Sequence, residues 1–125
     1  MRRAALLGLA VAFVAGCTSD ATSPSVSLNG TYALRSIDGY NLPYTFTGGP
    51  TLTNDMMTLY SDGTYEDVST YSNAQSSSRS GYFTSINGSA VTLTDQASGL
   101  TYQASLSGSV LTEIVNGYTE AYLKN

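Results

Sequence analysis

Seven turn dipeptides punctuate the chain from residue 29 onward: Asn29-Gly30, Asp38-Gly39, Asp62-Gly63, Asn87-Gly88, Ser98-Gly99, Ser107-Gly108 and Asn116-Gly117. Such pairs accept the positive φ angles of tight hairpin turns, so each marks a place where an antiparallel strand can reverse. The runs between them are rich in Thr, Tyr, Val and Leu, and none holds a helical period. Nine strands are predicted: Thr31–Ile37, Asn41–Thr47, Thr51–Tyr60, Thr64–Tyr71, Arg79–Ile86, Ser89–Asp95, Leu100–Leu106, Ser109–Val115 and Tyr118–Lys124. The low-complexity run Ser72–Ser80 (SNAQSSSRS) is expected to be a mobile loop. A Greek-key sandwich needs a long return connection, and every connection here joins neighbours. The fold class is therefore all-β, an antiparallel meander closing into a small up-and-down barrel of about 8–10 strands, because closure abolishes exposed edges. Nine strands would leave a parallel or open seam, so either one run is no barrel strand or the barrel is incompletely closed.

Alternation assigns the faces. Leu100, Tyr102, Ala104 and Leu106 share one side of their strand, as do Val91 and Leu93, and these are core positions. A two-residue Asn87-Gly88 turn would put Tyr82 and Ile86 inside and Phe83 outside. A three-residue Ser61-Asp62-Gly63 loop would set Leu59 opposite Tyr65, both inside with Met57. Tyr32 and Leu34 are the inward pair of the first strand.

Ahead of the strands lies a segment of a different kind. Arg2 and Arg3 precede an apolar run, Ala4 to Ala15, which is shorter than the ~20 residues a bilayer crossing needs. It ends in Val14-Ala15-Gly16-Cys17, and these four residues resemble the lipobox of bacterial lipoproteins position by position. That resemblance implies cleavage of a signal peptide of residues 1–16, diacylation of Cys17 and attachment to a membrane of the bacterial envelope. Thr18 in place of an aspartate implies passage to the outer membrane. Residues 17–27 are small, polar and proline-containing, and read as a tether. The mature chain keeps three basic residues (Arg35, Arg79 and Lys124) against nine acids, a net charge of −6. Anionic lipid offers such a body no attraction, so the acyl chains must do the anchoring.

From residue 28 to 125 the chain resembles the small lipocalin-like lipoproteins of bacteria. The residues that carry the likeness are Leu28/Gly30/Tyr32, Asp62 to Tyr65, Gly81 to Phe83, Val91 to Thr94 and a Tyr-rich last strand. Lipocalins pair a Gly-x-Trp opening with a basic residue near the end, and the corresponding positions here hold Gly30, Tyr32 and Lys124. The likeness implies a barrel that binds a small hydrophobic or lipidic ligand. Its cavity would be lined by Tyr32, Leu34, Met57, Leu59, Tyr65, Tyr82, Leu93, Tyr102 and Leu106.

Composition narrows the chemistry. With no histidine and a single cysteine, imidazole bases, thiol triads and zinc sites drop out. The acidic balance removes nucleic acid as a partner. Asp62, Glu66 and Asp67 lack the spacing of a calcium loop, so neither metal nor cofactor is expected. The remaining acids sit largely in turns, and no enzyme activity is expected. The ten tyrosines are ordinary strand residues whose rings pack while the hydroxyl stays wet.

One constellation stands apart. A two-residue Asn116-Gly117 turn sets Glu113 opposite Glu120 and Leu111 opposite Tyr122 on one face. Facing carboxylates repel, and burying two of them unpaired costs several kcal/mol, which favours the register that keeps them outside. The bulk of Leu111, Val115 and Tyr122 favours the opposite one. With the pair outside, Arg35 on the neighbouring first strand is expected to bridge both as a latch on the barrel seam. With the pair inside, it would orient a ligand in the cavity. A monomeric, membrane-anchored ligand-binding barrel is the leading expectation, and a filled envelope module serving structure or protein contacts is the alternative.

Overall fold

The computed structural model of the chain describes residues 27–125. The expected signal peptide, the lipobox Val14, Ala15, Gly16 and Cys17, and nearly all of the tether lie outside the described residues. Ten strands follow one another: β1 (Gly30–Ile37), β2 (Tyr40–Asn41), β3 (Tyr44–Thr45), β4 (Thr51–Leu59), β5 (Thr64–Tyr71), β6 (Ser76–Ile86), β7 (Ala90–Asp95), β8 (Thr101–Ser107), β9 (Val110–Val115) and β10 (Tyr118–Lys124). There is no helix among the described residues. Each strand from β4 to β10 pairs antiparallel with the next, and β1 hydrogen-bonds both β10 and β4. Eight strands thus close a ring, which removes the unpaired edges of an open meander.

The surplus strand of the sequence reading is the run Asn41–Thr47. It breaks into the two-residue strands β2 and β3 around Pro43, which has no N–H to give a ladder. β2 pairs only with β1 and β3 only with β4. The Ser72–Ser80 loop is also shorter than expected. Ser76 to Ser80 belong to β6 and pair with β5 from Thr70↔Ser76 to Glu66↔Ser80. Low complexity misled here because serine side chains fit a strand whose ladder is supplied by its neighbour.

Turn length decides the faces. Asn116-Gly117 is a two-residue turn, both residues at positive φ, and sets Val115↔Tyr118, Glu113↔Glu120 and Leu111↔Tyr122. The three-residue loop after Tyr60 sets Leu59↔Tyr65. Asn87-Gly88 behaves differently: Ser89 joins the loop and Ile86 pairs with Ala90. That third residue reverses the parity of β6, so Phe83 packs against the core while Tyr82 and Ile86 are 54% and 70% exposed. Leu100 likewise sits outside, in the turn before β8.

The core is one cluster of inward residues, with Tyr32, Met57, Leu59, Tyr65, Leu93, Leu111 and Tyr122 all but sealed from solvent. Tyr32 donates its hydroxyl proton to the Leu28 carbonyl at 2.6 Å. Lys124 Nζ lies 5.8 Å from the Tyr32 ring centroid and also donates to the Ser27 carbonyl. Gly30, Tyr32 and Lys124 thus meet at the end of the barrel where the chain enters.

Candidate functional site

Towards the other end of the barrel the inward face changes from apolar to charged. Continuing the two-residue alternation leads from Tyr65 to Asp67 on β5, from Gly81 to Arg79 on β6 and from Leu111 to Glu113 on β9. On β4 an irregularity between Leu52 and Asn54 lets both Leu52 and Asp55 point inward. β10 adds Glu120, two residues from Tyr122. Four acids from four strands therefore surround one cation.

Arg79 is the hub. Its Nε donates to Asp67 Oδ2 at 2.8 Å, and its Nη2 donates to both oxygens of Glu113 at 2.6 and 2.8 Å. The guanidinium carbon lies 4.7 Å from the Tyr102 ring centroid and 5.9 Å from that of Tyr65. Asp67 is 4% exposed and Glu113 is fully buried, so both ion pairs are largely shielded from water, where truncating one partner is costly. Burial pushes the Glu113 carboxyl up to about 7 against the pull of Arg79.

Two acids lack such a partner. Asp55, 4% exposed, accepts among the described residues only the Ser69 hydroxyl, at 2.5 Å on Oδ2. Its Oδ1 and that of Asp67 receive no conventional donor. The two carboxyls can hydrogen-bond each other only when one carries a proton. Burial and then Asp67 accordingly raise the Asp55 carboxyl to about 9. Glu120 Oε2 accepts the Tyr122 hydroxyl at 3.0 Å, and burial again shifts its carboxyl upward. Arg79 Nη1 is a further buried atom without an acceptor.

Above this cluster lies a cleft of ≈270 Å³ at the barrel end that carries the β9–β10 turn. Asp55, Asp67, Arg79 and Glu120 form its polar side, and Phe46, Tyr71 and Tyr118 its aromatic side. Phe46 and Tyr118 meet edge to face at 5.4 Å, and Tyr44 stands against both. The arrangement can hold a small molecule by charge, hydrogen bonds and ring contacts together.

The residues expected to line an apolar cavity lie elsewhere. Tyr32, Leu34, Met57, Leu59, Tyr65 and Leu93 are buried in the core, with Tyr102 and Leu106 packed against it, and Tyr82 projects outward. None of the nine lines this cleft. Glu113 and Glu120 do face each other, but inside. The two-residue loop of Gly108 and Ser109 sets Leu106↔Leu111 and so turns Glu113 inward, where Arg79 offsets the burial cost that favoured the outer register. Arg35 is not their partner. The β1–β10 register slips between Leu34 and Ser36, so Leu34 and Ile37 both face inward and Arg35 is left exposed. Asp62 caps its own turn through Thr64, Glu66 is exposed and Asp67 faces inward, so that trio does not converge.

Sequence reasoning missed Asp55, Asp67 and Arg79 as a set. The parity that placed Met57 and Tyr65 inside, carried one step further along each strand, would have found the first two; Arg79 was hidden by the mistaken parity of β6. Family models, curated proteins and solved structures give no match to this chain.

Proposed function

We propose that this chain is a lipid-anchored protein of the bacterial envelope, held through Cys17, whose barrel binds a small ligand at its charged mouth. The anchor rests on the match of Val14, Ala15, Gly16 and Cys17 to a lipobox. The binding role rests on one observation: a cleft of ≈270 Å³ faced by two acids, each 4% exposed and each with an oxygen that no N–H or hydroxyl of the described residues reaches. Buried polar atoms without partners are rare, and a ligand that supplies donors would satisfy these. The ligand sits at the mouth in this reading, since the inward apolar side chains fill the body of the barrel.

Native mass spectrometry of the protein released from envelope membranes tests the reading. A small polar adduct shed on gentle activation is expected. A bare polypeptide in every preparation would support the second reading, a structural or protein-contact module, which the outward Tyr82, Ile86 and Ile114 favour. A bound lipid would instead restore the apolar-ligand expectation.

A further inference from the structure

The charge inventory of the mouth is unbalanced. Arg79 is matched by Asp67 and Glu113, which leaves Asp55 and Glu120 facing the cleft without a cation of their own. The charged and titratable groups around them are Tyr65, Asp67 and Tyr71 on β5, Arg79 on β6, Tyr102 on β8, Glu113 on β9 and Tyr118 and Tyr122 on β10. Among these only Arg79 is positive, and its Nε and Nη2 are already engaged by Asp67 and Glu113, leaving Nη1 alone without an acceptor. Lys124 lies at the far end of the barrel beside Tyr32, and Arg35 is outside. What the site lacks is therefore positive charge, and aromatic surface lines the same cleft as its acids.

From this geometry we infer that the cleft takes a small organic cation, its ammonium group seated against Asp55, Asp67 and Glu120 and its carbon substituents against Phe46, Tyr71 and Tyr118. Carboxylates supply the charge and hydrogen-bond acceptors such a group needs, while aromatic rings favour a cation that also carries apolar surface. Asp55 and Asp67, each 4% exposed, line this cleft, and the Oδ1 of each has no conventional donor among the described residues. The cleft of ≈270 Å³ lies just below the ~300–1,000 Å³ of drug-sized sites, which fits a ligand of a few carbons.

An entering cation also changes the protonation of its hosts. In the free cleft, burial and the neighbouring acids keep a proton on Asp55 and raise Glu120. A positive charge beside them favours their ionised forms, so binding releases protons and strengthens as pH rises.

The inference rests on the mouth being a ligand site, and its test separates the two. Full-length protein in detergent is titrated by calorimetry with choline and with tetramethylammonium, and in parallel with 3,3-dimethyl-1-butanol, which keeps the shape of choline without its charge. Choline is expected to bind at least about tenfold more tightly than the neutral alcohol. Its heat should vary with the ionisation enthalpy of the buffer, the sign of proton release. Glu120→Gln should weaken choline by a similar factor while leaving the β-sheet circular dichroism unchanged. Equal binding of choline and the alcohol would overturn the cation while sparing the small-ligand reading. No binding of either ammonium compound to the parent protein would overturn it too, leaving the small-ligand reading to the mass spectrometry above.

Discussion

At the scale of single residues, Arg79 decides whether the interior is tolerable. It pairs with Asp67 and with a Glu113 that has no exposed surface, so removing it strands two carboxylates in a poorly solvated setting. Arg79→Met is expected to cost about 3–5 kcal/mol in urea unfolding at neutral pH, as breaking one side of a buried pair does. The loss should be partly relieved by Glu113→Gln, with a coupling of at least about 1 kcal/mol in the double-mutant cycle. Arg35→Gln should instead stay within about 0.5 kcal/mol of the parent and show no coupling to Glu113, since Arg35 is exposed on the opposite side of the wall. Additive effects of Arg79→Met and Glu113→Gln would remove Arg79 from its place at the hub. The facing of Glu113 and Glu120 was legible because one Asn-Gly turn fixes it. The identity of their counter-ion was not, because Arg79 arrives from a strand 34 residues earlier in the chain and on the far side of the ring from β10.

At the scale of strands and turns, what the sequence left open was parity. A dipeptide such as Asn87-Gly88 marks a reversal but does not say whether two or three residues leave the ladder. Ser89 made it three and turned β6 over. The same ambiguity at Ser107-Gly108 hid the face of Glu113, whereas Asn116-Gly117 kept to two residues and its pairings followed from sequence alone. Serine content also misled, since the β6 segment from Ser76 to Ser80 is ordered by its ladder with β5. β6 owes its close approach to β7 to Gly81, where an added Cβ would stand 1.9 Å from the Thr94 carbonyl oxygen. Backbone cannot give way as a flexible side chain can. Gly81→Ala is therefore expected to cost about 3 kcal/mol, against about 1 kcal/mol for Gly88→Ala, where the φ of +67° is strained but the surroundings are open. Chemical denaturation of both variants checks the order, and a milder effect at Gly81 would mean that β6 and β7 do not approach so closely.

At the scale of the whole molecule, one end of the barrel holds Gly30, Tyr32 and Lys124, where the described chain enters, and the other carries the acids. Changing Cys17→Ser should move the protein from the membrane pellet to the soluble fraction, because the acyl chains proposed there are its expected attachment. Retention in the pellet after a salt wash would count against the lipid anchor. The buried acids should also shape stability against pH. Asp55 and Glu113 hold protons in the fold at pH values where the unfolded chain has lost them, so their contribution is complete below ~4 and is lost as pH climbs through about 7 and about 9. Asp62 and Asp95, held below the usual carboxylate range by Thr64 and Ser98, work in the opposite sense and are lost in acid. Stability should thus peak in mild acid and decline through neutrality, by up to about 1.4 kcal/mol per pH unit for each retained proton, and Asp55→Asn should flatten the decline. The most direct test of a mouth lined by acids in want of a cation is a carboxyl carbon-13 titration by nuclear magnetic resonance. Asp55 should remain protonated at neutral pH and titrate at about 9, with Glu113 near 7. Midpoints for both in the ordinary range near ~4 would contradict the buried, under-compensated cluster.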